Sequence, residues 1–305
     1  MPAAPEKTVV SVSIGSKTRD MDDHLDLLGT RVRLRRLGTG GDLSAARRLV
    51  AELDGQVDAI GLGGTDLYLR VGDRRYYLRD SLRIASAAHQ TPVVCGAGLK
   101  DSLERHAVGG LDRLLRWQDR RVLLVNSVDR FGMAETIAGL GADVVFGDLV
   151  FGLGIDAPIR SLRTLRRVAA LLLPVIARLP VKWFYPTGSS QESAGSRPGL
   201  AKHFAWADVI AGDWHYIRRY APLDLVGKDV LTNTTTPADV ELLRSRGARR
   251  LITTTPRVGG RSVGTNLLEA ALVAVEGAGG ELSRERYDGL IAEAGLGPTV
   301  VDLQA

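Results

Sequence analysis

Residues 122–148 read VLLVNSVDRFGMAETIAGLGADVVFGD. An apolar run, Val122–Val125, ends in Asn126; a polar loop, a helix-spaced stretch, a Gly-Ala step and a second apolar run closing on Asp148 follow. Strands apolar on successive residues belong to a parallel sheet covered on both faces, so this is a β-α-β unit with a right-handed crossover. Residues 230–255, VLTNTTTPADVELLRSRGARRLITTT, repeat the plan with Asn233 where the first unit has Asn126. ADVVFGD (142–148) and ADVIAGD (207–213) also correspond. Duplication and shared packing rules both account for this.

The same pattern extends outward in both directions. Strands are expected near Val9–Ile14, Val32–Leu37, Ala59–Leu62, Val93–Cys95, Val122–Asn126, Val144–Phe146, Lys182–Tyr185, Val209–Ala211, Val230–Thr232 and Leu251–Thr253. Helices are expected over Ser44–Leu53, Leu99–Leu115, Ala134–Leu140, Ile159–Ile176, Ala238–Arg246 and Gly264–Val275. Strands alternating with helices give an α/β chain of two Rossmann-like parallel-sheet domains facing a central cleft. RWQDRR (116–121) suggests a boundary, with an N-terminal domain over 1–118 and a C-terminal one over 119–305. The Gly-, Ser- and Pro-rich stretch Tyr185–Gly199 reads as a long connection or a lid.

Composition narrows the function classes. The chain has 305 residues, 45% hydrophobic and 25% charged, enough to bury a sizeable core. One cysteine, Cys95, excludes an internal disulfide and a multi-cysteine zinc site, and no metal-ligand spacing such as HExxH occurs. With no signal-peptide pattern at the N-terminus, a cytoplasmic location is expected. The longest apolar stretch, VAALLLPVIARLPV (168–181), is broken by Pro174, Arg178 and Pro180 and is too short to span a membrane. It reads as a buried helix or a homodimer interface. The net charge of +5 comes from dispersed arginines without interleaved aromatics, so nucleic acid is not an expected partner.

In an open α/β sheet, ligands bind beyond the carboxyl ends of the strands. The loops there are rich in hydroxyl, amide and cationic groups. GSKTRD (15–20) offers Ser16 and Lys17, and GLGGTD (61–66) ends in Asp66. CGAGLK (95–100) leads into a helix, where Lys100 can pair with Glu104 one turn on or donate a proton. NSVDRFG (126–132) stands where a dinucleotide fold carries its glycine fingerprint, with only Gly132 matching. Its Asn126, Ser127, Asp129 and Arg130 are cofactor-binding candidates, with Asp148 placed for ribose hydroxyls. DWHYIR (213–218) sets His215 beside Asp213, an acid–base arrangement. NTTT (233–236) and TTTPRVGGRSVGTN (253–266) add Asn233 and Thr255 for a cofactor, and Arg261, Ser262 and Asn266 for an anionic substrate before a helix N-terminus. His24, His89, His106 and His203 fall on expected helices or their edges.

The chain resembles bacterial proteins labelled quinate 5-dehydrogenase. The stretches that carry the resemblance are DAIGLGGTDLYL (58–69), TPVVCGAGLKDSLER (91–105), VNSVDRFGMAE (125–135), DVVFGDLVFGLG (143–154), YPTG (185–188) followed by QE, ADVIAGDWHYIRRY (207–220), TNTTT (232–236) and LITTTPRVGGRSVGTN (251–266). The resemblance implies NAD(P)-dependent oxidation of a cyclic polyhydroxy acid, quinate or shikimate. The NVTxPxK-type motif of shikimate dehydrogenases is not in this sequence. Three readings follow. The first is an NAD- or NADP-dependent oxidoreductase with Lys100, His215 and Asp213 as catalytic candidates. The second is a non-redox enzyme on a phosphorylated or nucleotide-linked substrate. The third is a non-catalytic binding or sensor protein for a small anionic or polyhydroxylated ligand.

Overall fold

A computed structural model describes residues 6–181 and 198–305. The strand expected at Lys182–Tyr185 and most of the loop expected at Tyr185–Gly199 lie outside the described residues.

The first lobe runs β1 (Lys7–Ser13), β2 (Met21–Leu27), β3 (Thr30–Gly38), α1 (Leu43–Leu53), β4 (Ala59–Gly63), the hairpin β5 (Tyr68–Val71) and β6 (Arg74–Tyr77), α2 (Arg79–Ala85), β7 (Val93–Val94), α3 (Ala97–Gly110) and α4 (Asp112–Leu115). The second runs β8 (Arg121–Leu124), α5 (Phe131–Gly139), β9 (Asp143–Phe146), α6 (Leu162–Ile176), α7 (Ala201–Trp206), β10 (Val209–Ala211), α8 (Trp214–Tyr220), β11 (Asp229–Thr232), α9 (Pro237–Ser245) and β12 (Arg250–Thr253). A two-residue ribbon, β13 (Arg257–Val258) and β14 (Arg261–Ser262), then leads to α10 (Thr265–Glu276), α11 (Arg284–Glu293) and β15 (Thr299–Asp302).

Two sheets form, in the orders β2-β3-β1-β4-β7 and β15-β12-β11-β10-β8-β9. All neighbours are parallel except the edge strands β2 and β15. The architecture is the expected α/β arrangement of two parallel-sheet lobes. Side-chain alternation divides each strand between two helix layers. In β8 and the residue that follows it, Val122 and Leu124 face α5 and α6, whereas Leu123 and Val125 face α7, α8 and α9. In β1, Val10 and Val12 face α1 and α2, whereas Val9 faces α10.

α10 explains a departure from the expected division at 118/119. Every residue from Leu267 to Ala274 is buried, apolar except for Glu269, which accepts from Gly96 N–H, Leu99 N–H and the Tyr287 hydroxyl, so the helix needs cover on every side. It lies on the first sheet against Val9, Val32, Leu34 and Ala59, with α11 packed beside it through Tyr287, Leu290 and Ile291. The chain therefore returns to the first lobe for residues 265–293 before β15 pairs with β12 in the second.

Some elements differ from expectation. His24 lies in β2, an edge strand, and not on a helix. β2 and β3 are joined by a tight turn with positive φ at Leu28 (52°) and Gly29 (76°), the geometry of a primed hairpin turn. The helix expected over Leu99–Leu115 is two, because Gly109 and Gly110 end α3 before α4 starts. In α6, Leu165, Ala169 and Leu173 face the core and Leu171 and Val175 face outward. Among the described residues, no helix is long and apolar enough to cross a membrane.

Candidate functional site

The carboxyl ends of both sheets meet the N-terminus of α10 around a cavity of about 150 Å³. The first lobe contributes Ser11 and Ser13 of β1, Arg36 of β3, Gly63–Asp66 beyond β4, and Cys95 and Lys100 beyond β7. The second contributes Asn126, Asp129 and Arg130 beyond β8, Asp213, His215 and Tyr216 beyond β10, and Asn233–Thr236 beyond β11. Arg261, Ser262 and Gly264–Leu267 close the remaining wall.

Buried ion pairs join the lobes. Lys100 Nζ donates to Asp66 Oδ1 (3.1 Å) and, across the cleft, to Asp129 Oδ1 (2.9 Å). Burial works against the Lys100 charge, but Asp129 and Asp66 outweigh it and hold its pKa above the ordinary value. Burial, then Asp129, pushes the Asp66 carboxyl above the usual range. Asp129 is held below that range because Lys100 and Arg130 outweigh its burial. The expected pairing of Lys100 with Glu104 does not form; Glu104 takes Arg130 of the second lobe instead. Both of those residues are 1% exposed, and burial raises Glu104 to about 7 despite Arg130. Arg19, which follows β1, donates to Thr234 O (3.1 Å) and Asp239 Oδ2 (3.5 Å) and lies 3.3 Å from His215 Nε2. Burial lowers the Arg19 pKa.

The α10 end of the cavity is built by close backbone approach. Asn266 Nδ2 donates to Ser11 Oγ (2.7 Å) and Gly61 O (3.2 Å). A Cβ on Gly61 would stand 2.5 Å from Asn266 O, and one on Gly96 2.7 Å from Asn266 N. Gly264 provides no side-chain cap, and Thr265, Asn266 and Leu267 of the first turn of α10 line the cavity. Thr265 is 6% exposed and its Oγ1 has no hydrogen-bond partner. Arg261 donates to the backbone oxygen of Arg19 (2.9 Å), and no carboxylate pairs with it among the described residues.

Of the residues singled out in the sequence, the cavity brings together Lys100, His215 and Asp213; Asn126, Asp129, Arg130 and Asn233; and Asp66, Arg261, Ser262 and Asn266. It does not include the others. Ser16 Oγ accepts from Thr18 N–H at the start of a short turn, and Lys17 is exposed. Ser127 Oγ donates to Leu124 O (3.3 Å), and Thr255 is buried elsewhere. Gly132 is needed for packing, since a Cβ there would stand 2.6 Å from Asp101 Oδ1 on α3. Asp148 Oδ1 accepts from Val128 N–H (2.8 Å), bracing the loop after β8. Sequence reasoning passed over Ser11, Ser13 and Arg36; Ser11 looks like an ordinary strand residue until Asn266 is brought to it, and Ser13 until Arg36 donates to it (2.9 Å).

A family model described as domain of unknown function (DUF8754) matches residues 98–303. The chain belongs to the DUF8754 family. A second model, domain of unknown function (DUF8753), matches residues 8–95. No curated protein matches the sequence. Similar solved structures include a sugar ABC transport substrate-binding protein from Bordetella parapertussis (12% identity, 99% of this chain and 91% of that one, TM-score 0.39). Others are a 5-methylthioribose transporter solute-binding protein from Thermotoga lettingae with 5-methylthioribose (11%, 97% and 86%, 0.38) and an ABC transporter solute-binding protein from Bacillus halodurans with bound myo-inositol (9%, 99% and 96%, 0.37).

The expected NAD(P)-dependent oxidoreductase is corrected here. The loop after β8 supplies the physical reason. Where a pyrophosphate would rest on a glycine turn, the Arg130 side chain is buried against Glu104, and the first turn of α5 is packed under it. Asp148, expected at ribose hydroxyls, is engaged by Val128.

Proposed function

We propose that the chain is a non-catalytic binding protein for a small, anionic, polyhydroxylated ligand held in the cleft between the lobes. The observation that carries this reading is the start of α10, which has no side-chain cap and whose Thr265 and Asn266 line, together with Arg261, a cavity rich in hydroxyls and amides. A helix N-terminus beside a cation suits a carboxylate or phosphate. Ser11, Ser13, Asn126, Asn233 and Thr234–Thr236 supply donors and acceptors for hydroxyls.

Several features favour binding over turnover. Lys100 is held between two carboxylates and His215 lies against Arg19. Burial, with Asp66 and Glu269 nearby, pushes the Cys95 thiol well above its usual range and disfavours a nucleophilic thiolate. Among the described residues, no His, Cys, Asp or Glu group could hold a metal ion.

A thermal-shift screen tests the reading. Sugar acids, cyclic polyhydroxy acids, sugar phosphates, neutral hexoses, cyclitols, NAD⁺ and NADP⁺ would be compared. A ligand at 100 times its Kd stabilises the folded state by about 2.7 kcal/mol. The expected result is a rise in Tm with at least one anionic polyol and none with either nicotinamide cofactor. Thr265→Val should weaken the active compound by about 1 kcal/mol or more. Stabilisation by a nicotinamide cofactor alone contradicts the proposal.

A further inference from the structure

Beside the polar cavity lies a second compartment of about 120 Å³. Its walls are Leu69 of β5, Val128, Leu149, and Leu165, Leu172 and Leu173 of α6. The two spaces adjoin, because Asn126, Asp129 and Tyr216 line both. Leu149, Val168, Leu172 and Ile176 are only half-buried, and Leu153 at the rim is 40% exposed. These apolar side chains are thus left partly wetted next to a polar binding site. Besides Asn126, Asp129 and Tyr216 at the junction, Asp148 also lines this compartment. Asp148 Oδ2 is buried and has no hydrogen-bond partner, while Oδ1 is held by Val128.

We propose that the ligand is amphipathic: its anionic polyol portion occupies the polar cavity, and an apolar, ring-sized portion carrying one hydrogen-bond donor occupies the compartment under α6, with the donor on Asp148 Oδ2. The inference rests on the reading of the cleft as a binding site. A wholly polar ligand would leave the leucine and valine walls wet and the Asp148 oxygen unmatched. An apolar group removes that surface from water, and a hydroxyl or amine on it satisfies the oxygen. Burial pushes the Asp148 carboxyl up to about 6, so it is an ionised acceptor at neutral pH.

Isothermal titration with glucuronate, galacturonate and their phenyl and 4-hydroxyphenyl β-glycosides provides the test. The expected result is that phenyl glycosides bind at least about ten-fold more tightly than the parent acids, and that the 4-hydroxyphenyl forms gain further. Ala169→Leu, which fills the compartment from α6, should bring the phenyl-to-parent ratio toward one. Leu172→Ser, which makes the half-buried wall polar without adding volume, should reduce the same ratio and covers the case in which the larger side chain prevents folding. Phenyl glycosides that bind no better than parent acids that do bind, or a ratio untouched in the folded variants, overturn the amphipathic ligand and leave the cleft reading standing. Failure of every parent and conjugate to bind overturns both.

Discussion

At the scale of single residues, partners are chosen by burial and not by sequence distance. Lys100 and Glu104 stand one helical turn apart and would pair on an exposed helix. Both are buried where the lobes meet, so Lys100 goes to Asp66 of its own lobe and Asp129 of the other, while Glu104 goes to Arg130. The charged character of the loops was legible in the sequence; the pairings were not, because they depend on which faces of α3 and the β8–α5 loop are brought together. The same holds for Arg19, whose partners Thr234 and Asp239 lie in the other lobe. Glu104 makes this measurable. Its folded value of about 7 lies above the ordinary 4.5, so the folded chain holds the proton more tightly than the unfolded chain. The stability this provides is complete below about pH 4.5 and is lost as the pH rises through about 7. Denaturant titrations across that window should show Glu104→Gln losing a negative slope of up to about 1.4 kcal/mol per pH unit. Parallel pH profiles for the wild type and the variant would exclude the assignment.

At the scale of elements, the strands that feed the site were the most legible, since Val9–Ile14, Ala59–Leu62, Val122–Val125 and Val230–Thr232 are near-continuous apolar runs. The edge strands were not. β2 reads MDDHLDL, with Asp23 interrupting the inward-facing set of Met21, Leu25 and Leu27, so its period of two is broken. Edge strands tolerate this because one side faces solvent. α10 was legible as a helix, but its contacts were not. Its start fits between β1, β4 and β7 only because Gly61 and Gly96 carry no side chain. Gly96 is also at φ +93°, a conformation that other residues adopt only under strain. Gly96→Ala should therefore destabilise the fold by about 2–4 kcal/mol, from strain and overpacking together. Chemical denaturation reads this directly, and a loss below about 0.5 kcal/mol would mean that α10 is not seated as described.

At the scale of the whole molecule, the fold class and the convergence of polar loops follow from the strand–loop–helix alternation. The return of residues 265–293 to the first lobe does not, because nothing local in α10 says which sheet it will cover. That return places a helix N-terminus in the cleft, and it distinguishes this site from the dinucleotide crevice expected after β8. The central claim is that this cleft binds an anionic polyol and leaves it unchanged. Isothermal titration of the most stabilising compound from the screen, followed by mass spectrometry of the recovered ligand, tests it most directly. The account predicts one ligand per chain, weakened in Thr265→Val and Arg261→Gln, and recovered chemically intact after prolonged incubation. Undiminished binding in both variants, or recovery of a converted product, would contradict it.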